Sequence, residues 1–196
     1  MLRIVLIRPG ATDYDGEERI QGALDIPLSR DGLMEVARAV DQLREMKIEI
    51  IYTSPNESAV QTAEVISKDL ETKLKKLDRL QNINLGLWQG AQVGEVRHKQ
   101  PKVYRQWQEQ PENVCPPEGE MIEQADQRIA TAMNKLLRKH KDGVIGLVVP
   151  EPLASLVRRH IKKDELGDLW KALAGHGRWE VLDIEPAGVP VTTNHA

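Results

Sequence analysis

A three-layer α/β sandwich, with a mostly parallel sheet between helices on both faces, is the fold this sequence predicts. Three observations predict it. Short apolar runs rich in β-branched residues occur at 4–7, 48–52 and 144–149, as expected of parallel strands covered on both faces. The segments between them carry apolar residues at helical spacing, so strands and helices alternate. The chain has 196 residues, a length that suits one α/β domain with a full core.

Taken in order, the first strand is Ile4, Val5, Leu6 and Ile7. A helix follows in which Leu33, Val36, Ala37, Val40 and Leu43 share one stripe, with Ser29 as its N-cap. The run 48–52 is the second strand, and a helix from about 57 to 70 turns Ala59, Ala63, Val65 and Ile66 inward. Lys73–Lys76 and the basic run 158–163 are expected on solvated helix faces or loops. Residues 83–118, rich in Gly, Pro, Trp and Gln, are expected to form an insertion over the sheet and its pocket, within a single domain spanning 1–196. A long helix after Glu118-Gly119-Glu120 carries Ile122, Ala125, Ile129, Met133 and Leu136, and another begins near Pro152. Residues 178–184 alternate as a last strand, and the tail after Glu185 is expected to fray.

The formal net charge is -3, which argues against general nucleic-acid binding, since that needs a basic face. The one cysteine, Cys115, has no partner for an internal disulfide. No run approaches the roughly 18 apolar residues of a membrane span, and the first apolar run is too short and lacks the basic leader of a secretory signal. A soluble cytoplasmic protein without membrane association is the expectation. Phe is absent, for which we have no physical account.

Five segments carry the remaining information. They are Arg8-Pro9-Gly10-Ala11-Thr12; Arg19-Ile20-Gln21-Gly22 with Leu24-Asp25-Ile26-Pro27-Leu28-Ser29 and Gly32; Tyr52-Thr53-Ser54-Pro55 with Ala59, Gln61, Thr62, Ala63 and Glu64; Leu80 with Gly86, Trp88 and Gly90; and Pro116-Pro117-Glu118-Gly119-Glu120. Together, in this order, they resemble the signatures of the histidine phosphatase (phosphoglycerate mutase-like) superfamily, over roughly residues 2–160. The resemblance implies that family's α/β sandwich. It also implies a site in which one histidine takes up a phosphoryl group, two arginines and a second histidine hold its oxygens, and an acid protonates the leaving oxygen.

Position by position, the reacting groups are missing. Pro9 stands where the family's nucleophilic histidine stands, with neither a nucleophile nor a backbone N–H. Ser58 stands for the second arginine and Asn82 for the acid. The second histidine corresponds to Pro150 without a gap, or to Glu151 with a one-residue shift. Arg8 survives, with Arg19 and Gln21 as further candidate ligand-binding residues. The turn and packing residues Gly10, Gly22, Pro27, Gly32, Pro55, Gly86 and Gly90 are kept. A scaffold retained without its reacting side chains implies a pseudo-phosphatase. Its expected role is to bind a protein partner, a second copy of itself included, or weakly a phosphate or phosphorylated small molecule.

Replacement chemistry has few sources. Asp13, Asp15, Glu17 and Glu18 are acidic, but their spacing fits no metal-ligand pattern, and a solvated loop is expected. Neither a metal nor another cofactor is expected. Cys115 has no histidine to activate it, His98 reads as a surface residue, and His176, between two glycines, reads as a turn residue. Trp88, Trp107, Trp170 and Trp179 read as core or interface. The alternative is a phosphoester hydrolase or mutase-like enzyme working without histidine, through Arg8 and an acid such as Glu151 or Asp13. Whether titratable side chains converge on Arg8 discriminates the two: a pocket lined by Pro9, Ser58, Asn82 and Pro150 alone speaks for binding, and a carboxylate within hydrogen-bond reach of Arg8 is expected to be its salt-bridge partner, closing the site to anions.

Overall fold

The computed structural model describes residues 1–184; the tail after Glu185, expected to fray, lies outside them. The sheet is built from β1 (Leu2–Ile7), β2 (Ile50–Thr53), β3 (Lys73–Lys76), β4 (Gly143–Val148) and β5 (Trp179–Ile184). Its order is β3-β2-β4-β1-β5, parallel throughout except for β5, which runs antiparallel to β1. The helices are α1 (Asp13–Gly16), α2 (Arg30–Leu43), α3 (Glu57–Asp69), α4 (Val93–Lys99), α5 (Pro101–Glu109), α6 (Ile122–Lys139), α7 (Leu153–Lys162) and α8 (Leu169–Ala172).

Helices cover both faces of the sheet, as predicted. On one face, Val36, Val40 and Leu43 of α2 and Ala59, Ala63 and Ile66 of α3 pack against Val5, Ile7 and Ile51. On the other, Ile122, Ile129 and Met133 of α6 and Leu153, Leu156 and Val157 of α7 pack against Ile4, Leu6 and Leu147. Ser29 caps α2 by accepting from the Gly32 amide at 3.1 Å. Residues 83–118 form α4, α5 and short turns. From them Trp88, Val96, Trp107 and Val114 join the core. Trp88 meets Trp107 edge-on and Trp170 at a tilt, both at 5.5 Å, so three of the four tryptophans are core. Trp179, on β5, donates to Gln42.

Several details differ from the sequence expectation. Leu33, Ala37 and Val65 lie on exposed sides of their helices. The buried stripe of α2 is Gly32, Val36, Ala39, Val40 and Leu43, and in α3 Thr62 replaces Val65. These apolar residues sit at the margins of the stripe, where spacing alone is ambiguous. Lys73–Lys76 is a strand, not a solvated helix face or loop, because an edge strand needs only one face apolar and tolerates lysine on the other. Pro152 occupies the N-cap of α7 and not its first turn.

Candidate active site

The carboxyl end of β1 turns at Arg8-Pro9-Gly10. Gly10 is required here because a Cβ at Gly10 would collide with the Gly32 carbonyl, and one at Gly32 with Ala11. This close approach sets the turn against α2. The Gly10 amide donates to Thr62 Oγ1 of α3 at 3.2 Å, and the Pro9 carbonyl accepts from Gly177 at 2.7 Å. Pro9 offers no donor of its own, and nothing in the turn is left to supply one.

Around this turn lies a cavity of about 40 Å³, lined by Arg8, Pro9, Ser58, Pro150, Glu151 and His176 together with Asp15, Arg19 and Gln21. That volume holds a few waters, far below the roughly 300 Å³ of an ordinary small-molecule site. The sequence-derived positions Arg8, Pro9, Arg19, Gln21, Ser58, Pro150 and Glu151 are therefore gathered in one place. Asn82 is the exception: it lies buried behind the wall.

The cationic groups of the cavity are already engaged. Arg8 donates from Nε to Glu151 Oε1 at 2.9 Å and from Nη1 to Glu180 Oε1 at 2.7 Å. Burial works to lower the Arg8 pKa, but the charge and hydrogen bond of Glu151, with those of Glu180, outweigh it and raise the pKa above its ordinary value. Glu151 Oε2 in turn accepts from the amide and hydroxyl of Ser155 at 3.1 and 2.8 Å, in the first turn of α7. Glu180 Oε2 is shared with Arg158 at 3.2 Å. Arg19 donates to Glu17 at 2.5 Å and to the Gly90 carbonyl at 2.7 Å; the Glu17 bond raises its pKa most, against a smaller lowering by burial. Gln21 gives its amide to Thr12 and Asp15 at 2.6 and 2.9 Å.

Asp15 and His176 belong to the site more closely than the sequence suggested. Asp15 was expected in a solvated acidic loop. It closes a capping box with Thr12 at the start of α1 and lines the cavity. Local Thr-x-x-Asp spacing was the signal for it. His176, expected as a turn histidine, has Nδ1 3.0 Å from Glu35 Oε2, which also accepts from the Ala11 amide. Glu180 was not foreseen at all. Among the described residues, no three His, Cys, Asp or Glu side chains are placed to hold a metal together. Cys115 and His98 are exposed, away from the cavity.

Asn82 has become part of the framework. Its Nδ2 donates to the carbonyls of Gly22 and Glu151 at 2.9 and 2.8 Å, and its Oδ1 accepts from the amides of Ile83 and Leu153 at 2.9 and 3.3 Å. Three of these bonds tie Asn82 to Gly22, Glu151 and the start of α7, and the four together leave its side chain with nothing to offer a ligand. Beside the cavity, a larger cleft of about 370 Å³ shares Asp15, Arg19, Leu173 and His176 with it and is walled by Val93, Arg97, Tyr104 and Trp170. The segment 83–118 thus borders the approach to the turn.

The model of the histidine phosphatase superfamily (branch 1) matches residues 4–194. This chain is a member of the histidine phosphatase superfamily. Among curated members, it is 28% identical over 148 residues to phosphoserine phosphatase 1 of Hydrogenobacter thermophilus, covering 76% of this chain and 70% of the relative. It is 31% identical over 148 residues to phosphoglycerate mutase-like protein 4 of Arabidopsis thaliana, covering 74% of this chain and 64% of that relative. Among solved structures, Bacillus stearothermophilus YhfR superposes with a TM-score of 0.82 at 24% identity, over 94% of this chain and 92% of that one. A mycobacterial glucosyl-3-phosphoglycerate phosphatase in complex with VO3 gives 0.81 at 24% identity, over 91% and 90%. At that identity the structural likeness speaks for the fold, which is phosphoglycerate mutase-like. Among the described residues, no helix is long and apolar enough to cross a membrane.

Proposed function

We propose that this superfamily member is a pseudo-phosphatase: it does not turn over phosphoesters and works by binding a protein partner. The observation that carries the reading is the clamp on Arg8. The guanidinium that the family's chemistry would aim at a phosphoryl group is held by two carboxylates, Glu151 and Glu180. The positions that would supply nucleophile, second arginine and acid are Pro9, Ser58 and Asn82. A general acid or base alone contributes about 10²–10⁴ in rate, and covalent catalysis needs a nucleophile that Pro9 lacks.

The relatives' names are those of phosphatases and mutases, so hydrolysis without histidine is the reading to set against this one. It has little to draw on. Glu151 is occupied by Arg8 and Ser155, and Asp15 by Thr12 and Gln21. Weak binding of a phosphorylated small molecule loses support for the same reason, since an anion entering the cavity must compete with two carboxylates for Arg8. The test is release of inorganic phosphate from phosphoserine and 3-phosphoglycerate by the pure protein and by Arg8→Ala. Background rates are expected for both; release by the unaltered protein that disappears in Arg8→Ala overturns the reading.

A further inference from the structure

The feature that the site does not absorb lies at the far edge of the sheet. β3 is the end strand, pairing only with β2. The outer side of its backbone therefore presents N–H and C=O groups to which no other described strand is bonded. Its sequence is Lys-Leu-Lys-Lys. Leu74 packs under the α2/α3 layer, while Lys73, Lys75 and Lys76 are exposed.

The positive charge there extends beyond the strand. Lys75 pairs in register with Tyr52 of β2, and Tyr52 is the residue on which the end of α6 converges. Lys139 donates to the Tyr52 hydroxyl at 3.1 Å, and Nε2 of His140 lies 2.8 Å from the same oxygen. The Lys139 charge and hydrogen bond, then burial and the charge of Lys73, depress the Lys75 pKa, whereas the Tyr52 hydroxyl raises that of Lys139; the crowding of ammonium groups falls on Lys75. None of Lys73, Lys75, Lys76 and Lys139 has a carboxylate partner within 4.0 Å among the described residues. Glu49 is the carboxylate that acts on His140 from the neighbouring turn. In a chain of net charge -3, this is a local concentration of the opposite sign.

We infer that the β3 edge is a docking site for an extended, acidic segment of a partner protein, which adds to the sheet as a sixth strand beside Lys73–Lys76. The inference rests on the partner-binding reading above and names the surface that serves it. Two features must be met at once. The open backbone takes a strand through main-chain hydrogen bonds, and the lysines select alternate acidic side chains. A second copy of this chain is excluded as occupant, because edge-to-edge pairing would set lysine against lysine. Lysines on an edge do protect against self-pairing, but that role needs only the strand itself. It does not call for Lys139 and His140 gathered on the neighbouring tyrosine.

The probe is an eight-residue peptide alternating Glu and Val, blocked at both ends and labelled for fluorescence anisotropy with the full chain. Saturable binding that weakens as salt is raised is expected. So is a loss of about tenfold or more in affinity in Lys73→Glu/Lys75→Glu, and separately in Lys76→Glu. These side chains are exposed, and an unchanged melting temperature confirms that the variants are folded. A peptide of the same charge with methylated backbone nitrogens is the decisive control. It is expected to bind at least about tenfold more weakly, and the amides of residues 73–76 are expected to gain hydrogen-exchange protection only with the unmodified peptide. Equal binding of the methylated peptide, or of a DNA oligomer or polyphosphate in its place, overturns the inference in favour of a non-specific polyanion patch. Absence of peptide binding overturns it as well. Anisotropy and hydrogen exchange read binding at residues 73–76 and not phosphate release, so their failure is distinct from a finding of phosphatase activity.

Discussion

Glu151 sets its Oε1 2.9 Å from Nε of Arg8, and so places a carboxylate of the protein itself against the guanidinium beside the Pro9 turn. The two side chains come from the carboxyl ends of neighbouring strands, β1 and β4, which the parallel register brings side by side. Both are largely shielded from water, at 12% and 7% exposure, so the pair is stronger than a surface ion pair and costly to break from one side.

The first prediction concerns that carboxylate. In Glu151→Gln, Arg8 keeps Glu180 but loses its charged partner at Nε. Stability should fall by about 1–3 kcal/mol, below the full cost of orphaning a buried charge because Glu180 remains. The freed guanidinium should accept an anion: phosphate or vanadate should raise the melting temperature of Glu151→Gln and leave that of the unaltered protein unchanged. Thermal unfolding with and without phosphate or vanadate measures both effects, since a ligand at about 100 times its Kd adds about 2.7 kcal/mol to the folded state. No anion-dependent shift in the variant would show that Arg8 is unavailable for some other reason.

Restoring the nucleophile alone should restore nothing. In Pro9→His the imidazole enters a cavity where Arg8 is still clamped and where Ser58 and Asn82 stand in place of the second arginine and the acid. Groups of a catalytic unit act together, so one of them supplied singly brings little rate. Phosphate release in Pro9→His is expected to stay at the background of the unaltered protein. A clear gain would mean that another residue already plays the missing parts.

Asn82 carries a structural prediction. Asn82→Ala deprives the buried amides of Ile83 and Leu153 and the carbonyls of Gly22 and Glu151 of their partner at one stroke. Each unsatisfied buried group costs about 1–3 kcal/mol, with some relief from entering water. A net loss of about 2–4 kcal/mol in urea unfolding is expected. A change below about 0.5 kcal/mol, the range of ordinary surface substitutions, would show that Asn82 is not a tie between the loops.

Much of this was legible in the chain, for identifiable reasons. The central strands are short apolar runs rich in β-branched residues, and α6 repeats its apolar residues over eighteen positions, so the pattern alone reveals them. β3 was not legible, because only Leu74 among its four residues is apolar. In the site, Pro9, Ser58 and Asn82 were found because they sit at fixed offsets from local motifs. Glu180 was out of reach: it stands 172 positions from Arg8 and meets it only because β5 turns antiparallel beside β1. The charge rule was available, though, since a guanidinium this well buried needs counter-ions. The choice between Pro150 and Glu151 likewise could not be read from spacing; both line the cavity, and it is the Glu151 side chain that reaches Arg8.

The last prediction concerns acid. Burial, then the charge of Lys163, holds the His160 pKa below its ordinary 6.5, against a smaller opposing pull from Asp126. His140 is shifted the same way, by burial first and then by Lys139. A histidine whose folded pKa is depressed binds fewer protons folded than unfolded at intermediate pH, so stability rises with pH there. The contribution is fully present above the unfolded value near 6.5 and is lost as pH falls from there through the depressed folded value. His160→Gln removes that titration, so the stability of the unaltered protein relative to His160→Gln should decline as pH falls from neutral through 6.5 and below it. Urea unfolding of both proteins across that window measures it. A constant difference at every pH would mean that His160 has the same proton affinity folded and unfolded, and a difference that grows in acid would mean that Asp126 dominates and the shift runs upward.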